Sequence, residues 1–144
     1  MLHETTPALP PIVATLFELE FSEFNFYLTG SRFFGGISNT SDWDFVTENN
    51  DKIENYLVSI GFKENVNLNY LDPMTEKVYT KYFCGCENNH ASECLKIDIQ
   101  ICNDIFTKIK IRDILKNNFT DGIPGDKYDK SRIWGLVYNL IKNY

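Results

Sequence analysis

The sequence predicts an α+β (α/β) fold, a mixed β-sheet with helices packed on it. Three observations lead there. Short segments carry apolar residues with period two, longer segments carry them every three or four residues, and the two kinds are interleaved along the chain. No repeat, low-complexity tract or linker divides the 144 residues, which predicts a single domain over 1–144. A chain of this size removes roughly 70% of its unfolded surface from water on folding.

From Pro10-Pro11 onward, Ile12, Leu16 and Leu19 fall at helical spacing, giving a first helix that ends near Glu20. Phe24–Thr29 is aromatic, short and stopped by Gly30, as a strand would be. After a Gly- and Ser-rich connection, Asp42–Thr47 alternates acidic and apolar residues, a second strand. Asp51 and Glu54 have capping-box spacing; Ile53, Leu57 and Ile60 share a face; Gly61 can take a left-handed stop. These features predict a helix over 51–60. Strands are expected at Phe62–Tyr70 and Lys77–Cys84, with Asp72-Pro73 in the turn between them. Leu95–Ile101 alternates most cleanly, with Leu95, Ile97, Ile99 and Ile101 on a core face and Lys96, Asp98 and Gln100 on a working surface. Asn103 is the expected cap of a helix to about Lys116. Ile133, Trp134, Val137, Tyr138 and Ile141 form the stripe of a last helix over 128–142.

The net charge of −6, with 14 Lys and Arg against 20 Asp and Glu, counts against long duplex nucleic acid or an anionic membrane as partner. With no leader-like N-terminus and no long apolar run, the expectation is a soluble cytoplasmic protein. In that compartment Cys84, Cys86, Cys94 and Cys102 are reduced thiols. Cys84, Cys86, His90 and Cys94 are enough ligands for one zinc ion, but their spacing matches no common finger, and a hairpin loop with incidental thiols is the preferred reading. Two histidines, His3 and His90, leave little material for a Ser-His-Asp triad.

The chemistry concentrates between Leu28 and Phe45. A strand running into Gly30-Ser31 and then a short helix gathers backbone N–H groups and a hydroxyl at one point, which suits a phosphate chain. Gly30 leaves room for close approach. Asp42-x-Asp44 on a strand aims two carboxylates at one face, about 7 Å apart by strand rise. Asp98 adds a third if its strand lies beside theirs. Three carboxylates so crowded would repel and raise one another's pKa, an arrangement that makes sense around hard cations, Mg²⁺ or Mn²⁺.

Gly30-Ser31-Arg32-Phe33-Phe34-Gly35, then Ser41-Asp42-Trp43-Asp44-Phe45 and the distal Lys96-Ile97-Asp98, resembles the signature of the nucleotidyltransferase superfamily, the DNA polymerase β-like fold. The interval is most similar to that of the minimal nucleotidyltransferases. The resemblance implies a nucleotidyltransferase-like sheet and metal-dependent transfer of a nucleoside monophosphate from an NTP to an acceptor hydroxyl, with pyrophosphate leaving. It implies that Asp42, Asp44 and Asp98 are the catalytic and metal-binding acids, and that Gly30 and Ser31 hold phosphate. The acceptor would be a small molecule, an RNA end or a protein side chain. A toxin–antitoxin type role, with a partner protein as acceptor, is also implied. One departure is Phe34, where many minimal members carry a basic residue. Arg32 is then the one nearby cation, set either against phosphate or against a surface acid, and Lys96 is a second candidate for the triphosphate.

Each feature also has a plainer reading. Gly-Ser pairs are common in turns, Asp-x-Asp is often a solvated strand edge, and Asp98 with Lys96 and Gln100 could be the polar face of an edge strand. Trp43 and Phe45 are expected in the core. The alternative to an enzyme is an inactive nucleotide-binding or interaction module of the same fold, for which Phe34 is the best support.

Overall fold

A computed structural model describes residues 24–35, 42–66, 72–84 and 94–143 of the chain. Within them the order is β1 (Phe26–Thr29), α1 (Ser31–Phe34), β2 (Trp43–Glu48), α2 (Ile53–Ser59), β3 (Lys63–Glu64), β4 (Thr75–Cys84), β5 (Cys94–Cys102), α3 (Ile105–Asn118) and α4 (Lys127–Lys142). The five strands form one mixed sheet in the order β1-β2-β5-β4-β3. β2 and β5 are parallel, and every other neighbouring pair is antiparallel. The α+β expectation and the predicted element order are borne out. The helix expected over 12–20 lies outside the described residues.

Register assigns the faces. Trp43 lies opposite Ile97 and Phe45 opposite Ile99, so these four point to one side. They pack with Phe26, Leu28, Ile101 and Tyr79, under Ile53 and Leu57 of α2, as the larger apolar cluster. Asp44 lies opposite Asp98 and Val46 opposite Gln100 on the other side. That face is covered by α3 and α4, whose Ile111, Leu115 and Trp134 close over Phe34, Met74 and Ile123. The α4 stripe read from the sequence, Ile133, Trp134, Val137, Tyr138 and Ile141, all joins this second cluster.

Three local expectations are corrected. Asp51 does not cap α2: the cap position is Lys52, with no side-chain cap bond, and Asn50 Oδ1 accepts from Lys52 N instead. Glu54, freed from a capping role, accepts from Lys77 Nζ at 2.8 Å and Tyr79 Oη at 2.8 Å, tying α2 to β4. Those two bonds hold its carboxyl below the usual range. The cap of α3 is Asp104 and not Asn103: Oδ1 accepts from Thr107 N at 3.1 Å and Oδ2 from Thr107 Oγ1 at 2.6 Å. Strand over 62–70 is reduced to Lys63–Glu64 among the described residues, extended by one in-register backbone bond from Asn65 N to Val78 O, and residues 67–70 lie outside the described residues. Gly61 does take the left-handed stop, with φ of 99°.

Two cations are buried beneath the helical layer. Lys108 of α3 pairs with Asp72, and its Nζ lies 4.0 Å from the centre of the Trp134 ring. Asp72 in turn accepts from Met74 N at 2.9 Å, Thr75 N at 3.0 Å and Thr75 Oγ1 at 3.0 Å. A buried charge left without its partner is far more costly than a broken surface pair. Lys108→Ala should therefore lower the unfolding free energy in urea by about 3 kcal/mol or more. Lys142→Ala, which removes an exposed pair with Asp104, should change it by less than about 1 kcal/mol.

Candidate active site

The three acids meet where β2 and β5 run side by side. Asp44 and Asp98 are directly paired in the parallel register, and Asp42 lies just before β2. Because β5 is an interior strand, Asp98 belongs to no sheet edge. It is buried at 4% exposure and accepts a short hydrogen bond from Thr80 Oγ1 on β4. The carboxyl that holds a proton in this crowd is that of Asp44. Burial, then the Asp98 and Asp42 charges, push the Asp44 carboxyl from 3.8 up to about 8.

One cation answers this cluster. Lys96 Nζ stands 3.5 Å from Asp42 Oδ2 and 3.5 Å from Asp98 Oδ2. Burial opposes its charge, but Asp98 and Asp42 outweigh that and raise its pKa. Lys96 thus touches the acids, as the sequence left open, though it is not part of the cavity wall described next.

The acids open into a cavity of about 660 Å³ between the sheet and the α3–α4 layer. Gly30, Ser31, Asp42, Asp44 and Asp98 all line it; Arg32 does not. The Arg32 guanidinium lies over the Trp43 ring, 4.5 Å from its centre. Gly30 is required where it stands. Its φ is 72°, and a Cβ there would overlap the Asp44 carboxylate. The Gly30 carbonyl accepts from Phe33 N at 3.0 Å and Phe34 N at 2.9 Å, starting α1 directly beside the acids, and buried Phe34 anchors the turn in the second cluster.

Other contributions were not apparent from the motif. Arg112 of α3, 1% exposed, donates from Nη1 to Leu28 O at 2.9 Å and lies 4.2 Å from the centre of the Phe33 ring. It therefore braces both sides of the Gly30-Ser31 turn. Lys130, Ser131 and Trp134 of α4 and the Gly122-Ile123-Pro124 segment form the opposing wall. Lys130 supplies a cation to the cavity that Phe34 does not. The only signal for it in the sequence was its place on the final amphipathic helix. The working face expected on β5 thus lines a cavity that α4 faces, with Asp98 and Gln100 buried in it.

Five aspartates, residues 42, 44, 72, 98 and 121, line the cavity against two lysines, 108 and 130. Lys108 is already engaged by Asp72. A triphosphate would be repelled by such a surface unless divalent cations came with it. Among the described residues, no three His, Cys, Asp or Glu side chains are disposed as a ready cation site; Lys96 supplies positive charge, and the raised Asp44 pKa removes one negative charge. The donor chemistry nevertheless fits a hard cation, since Asp42, Asp44 and Asp98 offer carboxylate oxygens alone. Cys86 and His90 lie outside the described residues, as do the side chains of Cys84 and Cys94. Cys102 is buried at the end of β5, where burial pushes its thiol up to about 11. No helix among the described residues is long and apolar enough to cross a membrane.

No family model matches the chain, and neither a curated protein nor a solved structure matches it.

The raised Asp44 pKa fixes a pH dependence. A carboxyl that holds its proton more tightly in the folded state stabilises the fold fully below about pH 4, and that contribution is lost as pH rises through about 8. In the presence of chelator, wild-type melting temperature should fall from about pH 5 to about pH 9 relative to Asp44→Asn, whose amide does not titrate. Melting curves of the two proteins across that range check this. Curves that stay parallel would show that Asp44 is ionised throughout.

Proposed function

We propose that the protein is a metal-dependent nucleotidyltransferase that moves a nucleoside monophosphate from an NTP to an acceptor hydroxyl and releases pyrophosphate. The observation that carries this is the pairing of Asp44 with Asp98 across parallel strands, with Asp42 beside them and the Gly30-Ser31 turn packed on the Asp44 carboxylate. The residue resemblance stated above points the same way.

On this reading Asp42, Asp44 and Asp98 would hold Mg²⁺ or Mn²⁺. Bound there, divalent cations neutralise charge on the attacking and leaving oxygens of an in-line displacement. Ser31 and the Gly30 turn orient the phosphate chain, with the turn braced by Arg112. Asp98, already a hydrogen-bond acceptor from Thr80, receives the acceptor's hydroxyl proton. Lys130 faces the phosphates from α4. The acceptor is a small molecule, an RNA end or a side chain of a partner protein; the acidic charge balance disfavours long duplexes. Retention of the protein in the cytoplasm belongs to the same proposal.

A second reading, a nucleotide-binding module without turnover, is favoured by one contact: Lys96 occupies the charge position between Asp42 and Asp98. Incubation with each α-labelled NTP, Mg²⁺ or Mn²⁺ and cell extract separates the two. An enzyme transfers label and releases pyrophosphate, and Asp44→Asn should reduce this by about a hundredfold or more. Tight binding without pyrophosphate identifies the module. Mg²⁺-dependent NTP binding should be lost in the double variant Asp42→Asn/Asp44→Asn, measured by calorimetry; unchanged binding would remove the metal site from both readings.

A further inference from the structure

We infer that the inner end of the cavity is a base pocket in which the Gln100 carboxamide accepts a hydrogen bond from the exocyclic amine of adenine. The inference rests on the nucleotide reading and adds its substrate. Gln100 is 8% exposed and lines the cavity, and among the described residues its Oε1 has no hydrogen-bond partner. A buried carbonyl oxygen left unpaired destabilises the fold, and buried polar groups are normally satisfied. A ligand donor supplies what the fold withholds.

The neighbours do not compete for it. Lys108 lines the same cavity, but its ammonium is held by Asp72 and by the face of Trp134. Val78 lies directly opposite Gln100 in the β4–β5 register, and Ile123 and Trp134 line the same cavity. Apolar and aromatic lining in the cavity that holds a carboxamide suits a planar base, and the carboxamide's donor and acceptor match the amine and adjacent ring nitrogen of adenine. Gln100 follows Asp98 by two residues on the same strand face, about 7 Å further along. Gly30, the acids and Gln100 line one cavity, so a nucleotide with its phosphates at the acids would have room to set its base at Gln100.

The test is calorimetric titration of the purified full chain, with Mg²⁺ present, using non-hydrolysable α,β-methylene analogues. These are the analogues of ATP, of GTP, CTP and UTP, and of the purine riboside triphosphate that lacks only the exocyclic amine. The wild type should bind the ATP analogue about tenfold more tightly than the amine-free one. In Gln100→Leu and Gln100→Met that preference should shrink to within about twofold, while affinity for the amine-free analogue is kept. Both variants without ligand should melt no lower than the wild type, because no bond is lost. Binding without base preference, preference for another base, or adenine preference that survives both substitutions overturns the pocket and leaves the nucleotide reading standing. Loss of the fold in both variants shows that the protein itself holds the carboxamide, and also overturns the pocket. A wild type that binds none of the triphosphates overturns the nucleotide reading and the pocket together.

Discussion

The parallel pairing of β2 with β5 is the constraint from which the site follows. It sets Asp44 beside Asp98 at one level of the sheet, and the pleat aims both toward the helical layer. Nothing about a sheet requires this: like charges in direct register are destabilising. The molecule answers with a raised Asp44 pKa that keeps that carboxyl protonated, a lysine between Asp42 and Asp98, and a threonine hydroxyl on Asp98. Each offsets a repulsion that a single acid at this level of the sheet would not create.

The helical layer depends on the same face. Apolar residues of α3 and α4 seal the periphery through Phe34, Ile111, Leu115 and Trp134, while Lys108 and Arg112 reach inward through the seal to Asp72 and to the Leu28 carbonyl. These two cations are anchored at points that flank the acids without touching them. Lys108 holds the turn before β4, and Arg112 holds the end of β1, from which the Gly30 turn departs. The roof therefore fixes both strands' approach to the site. A change in α3 packing would be felt at Asp44 through Gly30, whose backbone has no spare room against that carboxylate.

Much of this was legible in the sequence because it rests on local periodicity. Leu95–Ile101 alternates without a break and is a strand. The spacing of Ile133, Trp134, Val137 and Tyr138 is helical and α4 is a helix. The three acids were legible as a motif, and their meeting needed only one long-range fact, the adjacency of β2 and β5. What local pattern could not give is tertiary. Asp104 outcompeted Asn103 as a cap because its two oxygens engage both the backbone and hydroxyl of Thr107. Glu54 left its expected capping role because Lys77 and Tyr79 of a distant strand offered better donors. Arg32 stacks on Trp43, although the motif alone suggested phosphate or a surface acid. Arg112, Lys130 and Gln100 carried no motif, since each acquires its role from which element it faces across the cavity.

Lys96 connects the two functional readings physically. Its ammonium is equidistant from Asp42 and Asp98 and only 17% of its side chain is exposed, so it substitutes electrostatically for a cation between them. A divalent ion bound to the same acids would carry twice the charge at shorter range and compete with the Asp44 proton and with the lysine. On the enzyme reading such an ion would take the place of the Lys96 ammonium between the acids. On the module reading a nucleotide still binds, but Lys96 keeps its place between Asp42 and Asp98 and no turnover follows. The strength of cation binding against that one ammonium decides between the two readings.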